Sequence, residues 1–546
     1  MKAKLTIAVD DPLVVSEYGL SPETVLTPDE PFFLDGPVAE RVAVVDRDPV
    51  SGQIKPVRWV QEQQTYAVPD DMSQPESVAA SVFGIVLETL ELLEGADILG
   101  HKVKWSFDSP QLLLVPRAGT MDNAFYDRYS GSMQFFSFDG PNRTRVNTAL
   151  SRDIVTHETG HAILDGLLPA LYDAATPQSL ALHEAIGDLT AIVMALQSRR
   201  IRDWLLQRNG GVLEGNTPVS QLANEFGWAT FATKRPLRNA NNQCTVGSAG
   251  TEPHDLCEVL TGAFWKAIVK LHQSAIDRAR ASTEASGEEA LGRALGISSR
   301  RIARILFRAL DYVPPAEATF ADYARAVLWS DGIVYPDDST GYRKTLRDEF
   351  VERGIVGSQD ELAAKPDADE VRADLNNLVE SEWYAFGFAE RNRKLLRIPP
   401  RTPFRLFPRR DVLRRYYLGG DSHSTKREVV FQVTWQKNEE NVGIPGVPPR
   451  RAVFQGTTLV LGGESDRRGR VPVLSCLTTD TASEHEEARN GFVLRLAERR
   501  QLETGNKWLS GNLRSQSPMV FGRVADGTLH LRGTGRLLHL AGGTND

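Results

Sequence analysis

Two histidines four residues apart, His157 and His161, flank Glu158 in the stretch Val155-Thr156-His157-Glu158-Thr159-Gly160-His161. On a helix that spacing puts both imidazoles on one face, where they can reach a single metal ion. Zinc suits imidazole and carboxylate ligands, and a catalytic zinc site takes three protein ligands plus water. A third ligand is therefore required. Downstream, Leu182, Ile186, Leu189, Val193 and Leu196 recur at helical spacing and leave Glu184 and Asp188 together on another face. Glu184 is expected as the third ligand. Asp188 is expected to accept the second ring N–H of a metal-bound histidine, fixing its tautomer and raising its basicity. Glu158 lies beside the ligands without binding the ion, which suits a general base that takes a proton from an activated water and returns it to a leaving amine.

The two segments resemble the gluzincin zinc peptidases, and among them the thermolysin-like group, whose members carry His-Glu-x-x-His on one helix and Asn-Glu-x-x-Ser-Asp on the next. The second motif stands here as His183-Glu184-Ala185-Ile186-Gly187-Asp188, with His183 in place of asparagine and Gly187 in place of serine. The interval from His161 to Glu184 is a few residues longer than in the family, implying an enlarged loop around Ala174 to Ser179. Asp122-Asn123-Ala124-Phe125-Tyr126 resembles the family's edge strand, so the resemblance makes Asn123 and Ala124 substrate contacts. It likewise casts Tyr172 and His254 as donors to the tetrahedral intermediate and Arg238 as a ligand of the substrate's carbonyl. The aspartate that orients the family's downstream histidine is replaced by Ala249, with Glu252 nearby as a substitute. Asp153 matches a structural-calcium position, but its first acidic partner is replaced by Ala195, and no calcium is expected.

The elements that must position these side chains are legible from periodicity. Apolar residues from Val78 to Leu93 recur at spacings of three and four behind Pro75, marking a helix that runs to Gly95. Val103 to Phe107 and Leu112 to Val115 read as strands, and helical periodicity dominates from Arg152 to about Gly357. The expected fold class is α+β: a thermolysin-like two-lobed catalytic unit over residues 71–357, with a β-containing front and a helical back. A β-rich N-terminal unit spans 1–70, a linker 358–420, and a β-sandwich or barrel 421–546. Between 391 and 415 stand ten Arg or Lys residues against the single acid Asp411, interleaved with prolines; this is a basic linker or an anionic docking strip.

Composition sets outer bounds. With 546 residues, 41% hydrophobic and 25% charged content, the chain has enough apolar material for several cores. Its formal net charge of -8 gives no chain-wide reason to expect nucleic acid. No apolar run reaches the length of a membrane span, two early aspartates interrupt any signal-peptide core, and three scattered cysteines exclude a disulfide framework. A cytoplasmic zinc metalloendopeptidase acting on protein or peptide substrates is the leading expectation. The alternatives are a dedicated processing protease, or a binding or scaffold protein whose C-terminal β region selects a protein partner.

Overall fold

A computed structural model describes the chain except for residues 142, 144, 175, 282–286, 339–340, 364–365, 420–421, 480–482, 499–501, 505–519 and 534–546. The fold is mixed, with helices and sheets in separate layers, consistent with α+β. Parts of the expected inter-helix loop (Ala175) and of the expected C-terminal unit lie outside the described residues.

The helix carrying the histidine pair, Arg152–Leu167, is buried on nearly every side. It packs against Pro177–Gln197, which carries Glu184 and Asp188 and is capped by Thr176, whose hydroxyl accepts the Ser179 N–H at 3.4 Å. Two glycines let the helices touch: a Cβ at Gly160 would lie 2.6 Å from Thr190 Oγ1 and 3.1 Å from Gly187 Cα. Pro177–Gln197 is also long and apolar enough to cross a bilayer, but 94% of that window is buried within the fold, as expected of a core helix. A third helix, Pro253–Ala281, brings His254 in its first turn.

In front lies a five-stranded sheet. Leu112–Thr120 runs parallel to Val42–Val44 on one side and to Ser132–Asp139 on the other, and Ala124–Asp127 pairs antiparallel at the edge. The helix Pro75–Glu94 makes the crossover between the first parallel pair, as such connections require. Val103 to Phe107, expected as a strand, forms no regular element; Trp105 is instead pinned by its indole N–H on the Arg41 carbonyl.

Residues 1–70 do not stand apart. Leu5, Ile7, Val42 and Tyr66 belong to the same hydrophobic core as the motif helix. Glu23, on the strand Glu23–Leu26, accepts the Ser198 hydroxyl at 2.7 Å and the Arg199 N–H at 2.9 Å. Short strands cannot bury two faces alone, so they borrow the helices' core.

Residues 358–420 are not a linker either. They contain the helices Leu375–Glu380 and Glu382–Arg391 and three strands of a nine-stranded sheet built on the long hairpin Ser422–Glu440 and Arg450–Gly462. This single sheet stands where a sandwich or barrel was expected, and its two faces serve two cores. Val430 and Val460 point into the core of the motif helix, while Val429, Phe431, Leu459 and Leu461 pack beneath the helices of 375–391. The second layer that a sandwich would take from another sheet comes from helices on each side.

The basic strip contributes the fastener. Arg414 is fully buried, 2.8 Å from Glu428 and paired also with Asp311, while Arg308 pairs with Glu428 from the opposite side. Burial pushes the Asp311 carboxyl toward neutrality, but Arg410, His101 and Arg414 outweigh it and hold it well below the usual carboxylate range. Arg410 also donates at 2.9 Å to the carbonyl of Leu167, the last residue of the motif helix, so the C-terminal sheet grips that helix directly.

Candidate metal centre

His157, Glu158 and His161 present ligand atoms within 4.8 Å of one another, and all three are buried. From the neighbouring helix, Glu184 is fully buried and places Oε2 3.5 Å from His157 Nε2 and Oε1 3.5 Å from His161 Nε2. Ligands at 2.0–2.2 Å around a tetrahedral ion are separated by about 3.3–3.6 Å. The donor types of His157, His161 and Glu184, and the two separations of 3.5 Å from Glu184 to the imidazoles, suit a small divalent cation.

Glu158 and Glu184 both lie close enough to compete for the third position, and their surroundings separate them. Glu158 Oε2 accepts the backbone N–H of Tyr126 at 2.8 Å, which ties it to the edge strand Ala124–Asp127. Glu184 instead faces both imidazoles and lies 3.4 Å from His254 Nε2.

The shell around these groups is organised by charge. Asp188 Oδ1 lies 3.0 Å from His157 Nδ1, which directs Nε2 toward Glu184. Burial pushes the His157 imidazolium down, but the hydrogen bonds to Asp188 and Glu184 together lift it to about 9. A cation binding there displaces a proton. Arg238, expected to meet substrate, donates through Nε and Nη2 to Asp188, both at 2.9 Å, and lies 3.6 Å from Glu184. Burial raises the Asp188 carboxyl, but Arg238 and His157 overcome this and hold it below its ordinary range. His254 is anchored by Glu252, whose Oε1 lies 2.9 Å from Nδ1 and whose Oε2 accepts the His254 N–H at 2.7 Å, so Glu252 fills the place vacant at Ala249. Opposing influences of burial and of Glu184 and Glu252 leave the His254 imidazolium favoured overall.

Tyr172 is placed differently from His254. Its ring stands edge-on to His183 at 4.8 Å and to Tyr126 at 6.1 Å, with the Arg128 guanidinium 4.6 Å over its face. The Tyr172 hydroxyl and both ring nitrogens of His183 have no hydrogen-bond partner among the described residues. Burial pushes the Tyr172 hydroxyl far up and the His183 imidazolium far down, so both are neutral. Asn123 turns its side chain back to accept the Ala124 N–H at 2.8 Å, while Ala124 itself lines a pocket with His157 and Glu158. That pocket encloses about 380 Å³ including its mouth, and Ile154, Leu222, Phe226 and Leu237 wall it, with His157, Glu158 and Arg238 at its polar end.

Sequence reasoning missed several members of this arrangement. Asp165, four residues beyond His161, accepts the Tyr126 hydroxyl at 2.7 Å and pairs with Arg128, which also reaches Asp173 at 2.9 Å. The i+4 spacing of Asp165 on the motif helix was the one available signal. By spacing alone, Gly187 is no more than a departure from the family's serine. A Cβ there would lie 2.6 Å from the His157 ring, so glycine makes room for the imidazole. Gly187→Ser is expected to displace that ring and weaken divalent-cation binding about tenfold. Competition with a chelating dye measures it; unchanged affinity would mean that the ring tolerates the Cβ.

No protein-family model matches the chain, and no curated protein matches it. Among solved structures the chain is similar, at a distance, to the precursor of protealysin, a metalloproteinase from Serratia proteamaculans, at 13% identity and a TM-score of 0.35, covering 60% of this chain and 90% of that one.

Proposed function

We propose that this chain is a zinc metalloendopeptidase of the thermolysin-like gluzincin type, with the edge-strand sheet and the helical layer as the two lobes of its site. The observation that carries the reading is the placement of Glu184 3.5 Å from both His157 Nε2 and His161 Nε2, with Glu158 held beside them by the Tyr126 backbone N–H.

In this reading His157, His161 and Glu184 hold the ion. Bound zinc supplies Lewis acidity, lowering the pKa of a coordinated water toward neutrality and polarising a carbonyl. Glu158 takes the proton at its carboxylate and delivers it to the leaving amine, and the Tyr126 N–H fixes the direction from which it acts. Asp188, steadied by Arg238, keeps the His157 tautomer that exposes Nε2. His254, oriented by Glu252, offers its Nε2 side to the negative charge that develops on the substrate oxygen. Tyr172 is held between Arg128 and His183, and its buried, neutral hydroxyl is the second donor. Asn123 and Ala124 meet the substrate backbone along the open edge of Ala124–Asp127, and the apolar pocket receives a side chain.

The test is cleavage of a diverse peptide library by the purified chain with and without a chelator, together with metal analysis. About one zinc per chain, cleavage lost on chelation and restored by zinc are the expected results. Full cleavage by metal-stripped protein would overturn the reading.

A further inference from the structure

The helix Glu382–Arg391 buries Ala385, Phe388 and Ala389 against the C-terminal sheet, which turns the opposite stripe outward. On that stripe Trp383 is 86% exposed and Phe386 45% exposed. Phe386 stacks on Phe404 with centroids 4.9 Å apart, and the Arg393 guanidinium lies 5.1 Å over the Phe404 ring. A Cβ at Gly387, four residues beyond Trp383, would lie 3.1 Å from Arg391 Nη1, so that guanidinium folds back onto the same stripe.

Beyond the helix the charge is predominantly basic: residues 391–415 carry ten Arg or Lys against the single acid Asp411, while Glu380 stands exposed on the N-terminal side. The acids on the helix are already committed: Glu382 pairs with Arg409 at 2.8 Å and Glu390 with Arg393 at 2.7 Å. Exposed Arg391, Lys394, Arg401 and Arg405 have no ion pair among the described residues. An exposed tryptophan and phenylalanine thus stand on a helix that leads directly into a run of exposed cations, on a chain whose net charge is -8.

We propose that the Trp383–Phe386 stripe and its basic rim dock this protein on an anionic lipid surface. Amphipathic aromatic rings settle at the level of lipid headgroups, and cations beside them are attracted by acidic lipid. Trp383 is 86% exposed in the first turn of the helix, accessible enough for its ring to settle between headgroups. The acidic remainder of the chain is repelled by the same surface, so only this face is drawn toward it.

Co-sedimentation of the full chain with vesicles of phosphatidylcholine alone, or mixed with phosphatidylglycerol, tests the proposal independently of any peptidase activity. Partition is expected only onto the phosphatidylglycerol vesicles, and it falls as salt is raised. The double variant Trp383→Ser, Phe386→Ser is expected to reduce partition at least tenfold, and Arg391→Gln, Lys394→Gln or Arg405→Gln by about fivefold each. Brominated lipid in the vesicles should quench tryptophan fluorescence of the unmodified chain, a readout that requires no variant to fold. Equal partition onto both vesicle types, none onto either, undiminished partition of the aromatic variant, or absence of quenching would overturn the proposal. So would binding to soluble polyglutamate that displaces the chain from vesicles, which would point to an acidic protein partner.

Discussion

Glu158→Gln is expected to slow peptide cleavage by about 10²–10⁴-fold while leaving the metal content of the protein unchanged. The substitution keeps an oxygen able to accept the Tyr126 N–H, so the side chain retains its tether and loses only its capacity to carry a proton. Glu184→Gln should do the reverse, removing the charge that faces both imidazoles and stripping the metal first. Single-turnover cleavage and metal analysis on both variants separate the roles. Metal lost from Glu158→Gln and retained by Glu184→Gln would exchange the two assignments; normal cleavage by Glu158→Gln would remove that residue from the chemistry.

The second large effect is on stability. Arg414→Met leaves Asp311 and Glu428 with less counter-charge at a site where all three side chains are fully buried. Breaking a buried pair from one side costs about 3–5 kcal/mol, because the abandoned charge keeps its desolvation penalty. The main thermal transition should drop by several degrees and unfold both cores together, since the sheet strand bearing Arg414 contributes Val412 to the core of the motif helix. Adding Glu428→Gln should recover part of the loss by removing one of the stranded charges. A transition unmoved by Arg414→Met would mean that Arg308, Arg410 and His101 suffice to balance the two acids. The same contacts make truncation near residue 420 unsuitable for isolating the C-terminal region, because it would strip Val430 and Val460 from the core beneath the site.

Much of the site could be read from residue types and spacing. His157, His161 and Glu158 follow from a period of 3.6 residues per turn acting over four positions, a local rule that the fold has no means to alter once the helix forms. Glu184 and Asp188 follow by the same rule on the second helix, and Glu252 could be named as the partner of His254 because it lies two residues away. The two-sided core of the C-terminal sheet, by contrast, has no local signature. Alternation along Val429, Val430 and Phe431 predicts a strand but does not name what will cover each face. The strip 391–415 reads as a linker or docking strip from its charge, yet Arg410 and Arg414 are both drawn inside by Asp311, about a hundred positions away, and Arg414 also by Glu428.

The amino-acid sequence alone determined which side chains share a helix face, and hence which could act on a common ion: this depends only on the helical repeat. Only the tertiary structure decided that Glu184 sits opposite both imidazoles, that the Tyr126 N–H holds Glu158, that Arg238 engages Asp188, and that the terminal segments complete the hydrophobic core around the motif helix. Those outcomes depend on how closely Gly160 and Gly187 let two helices approach and on where distant charges meet, quantities set by packing across the whole chain.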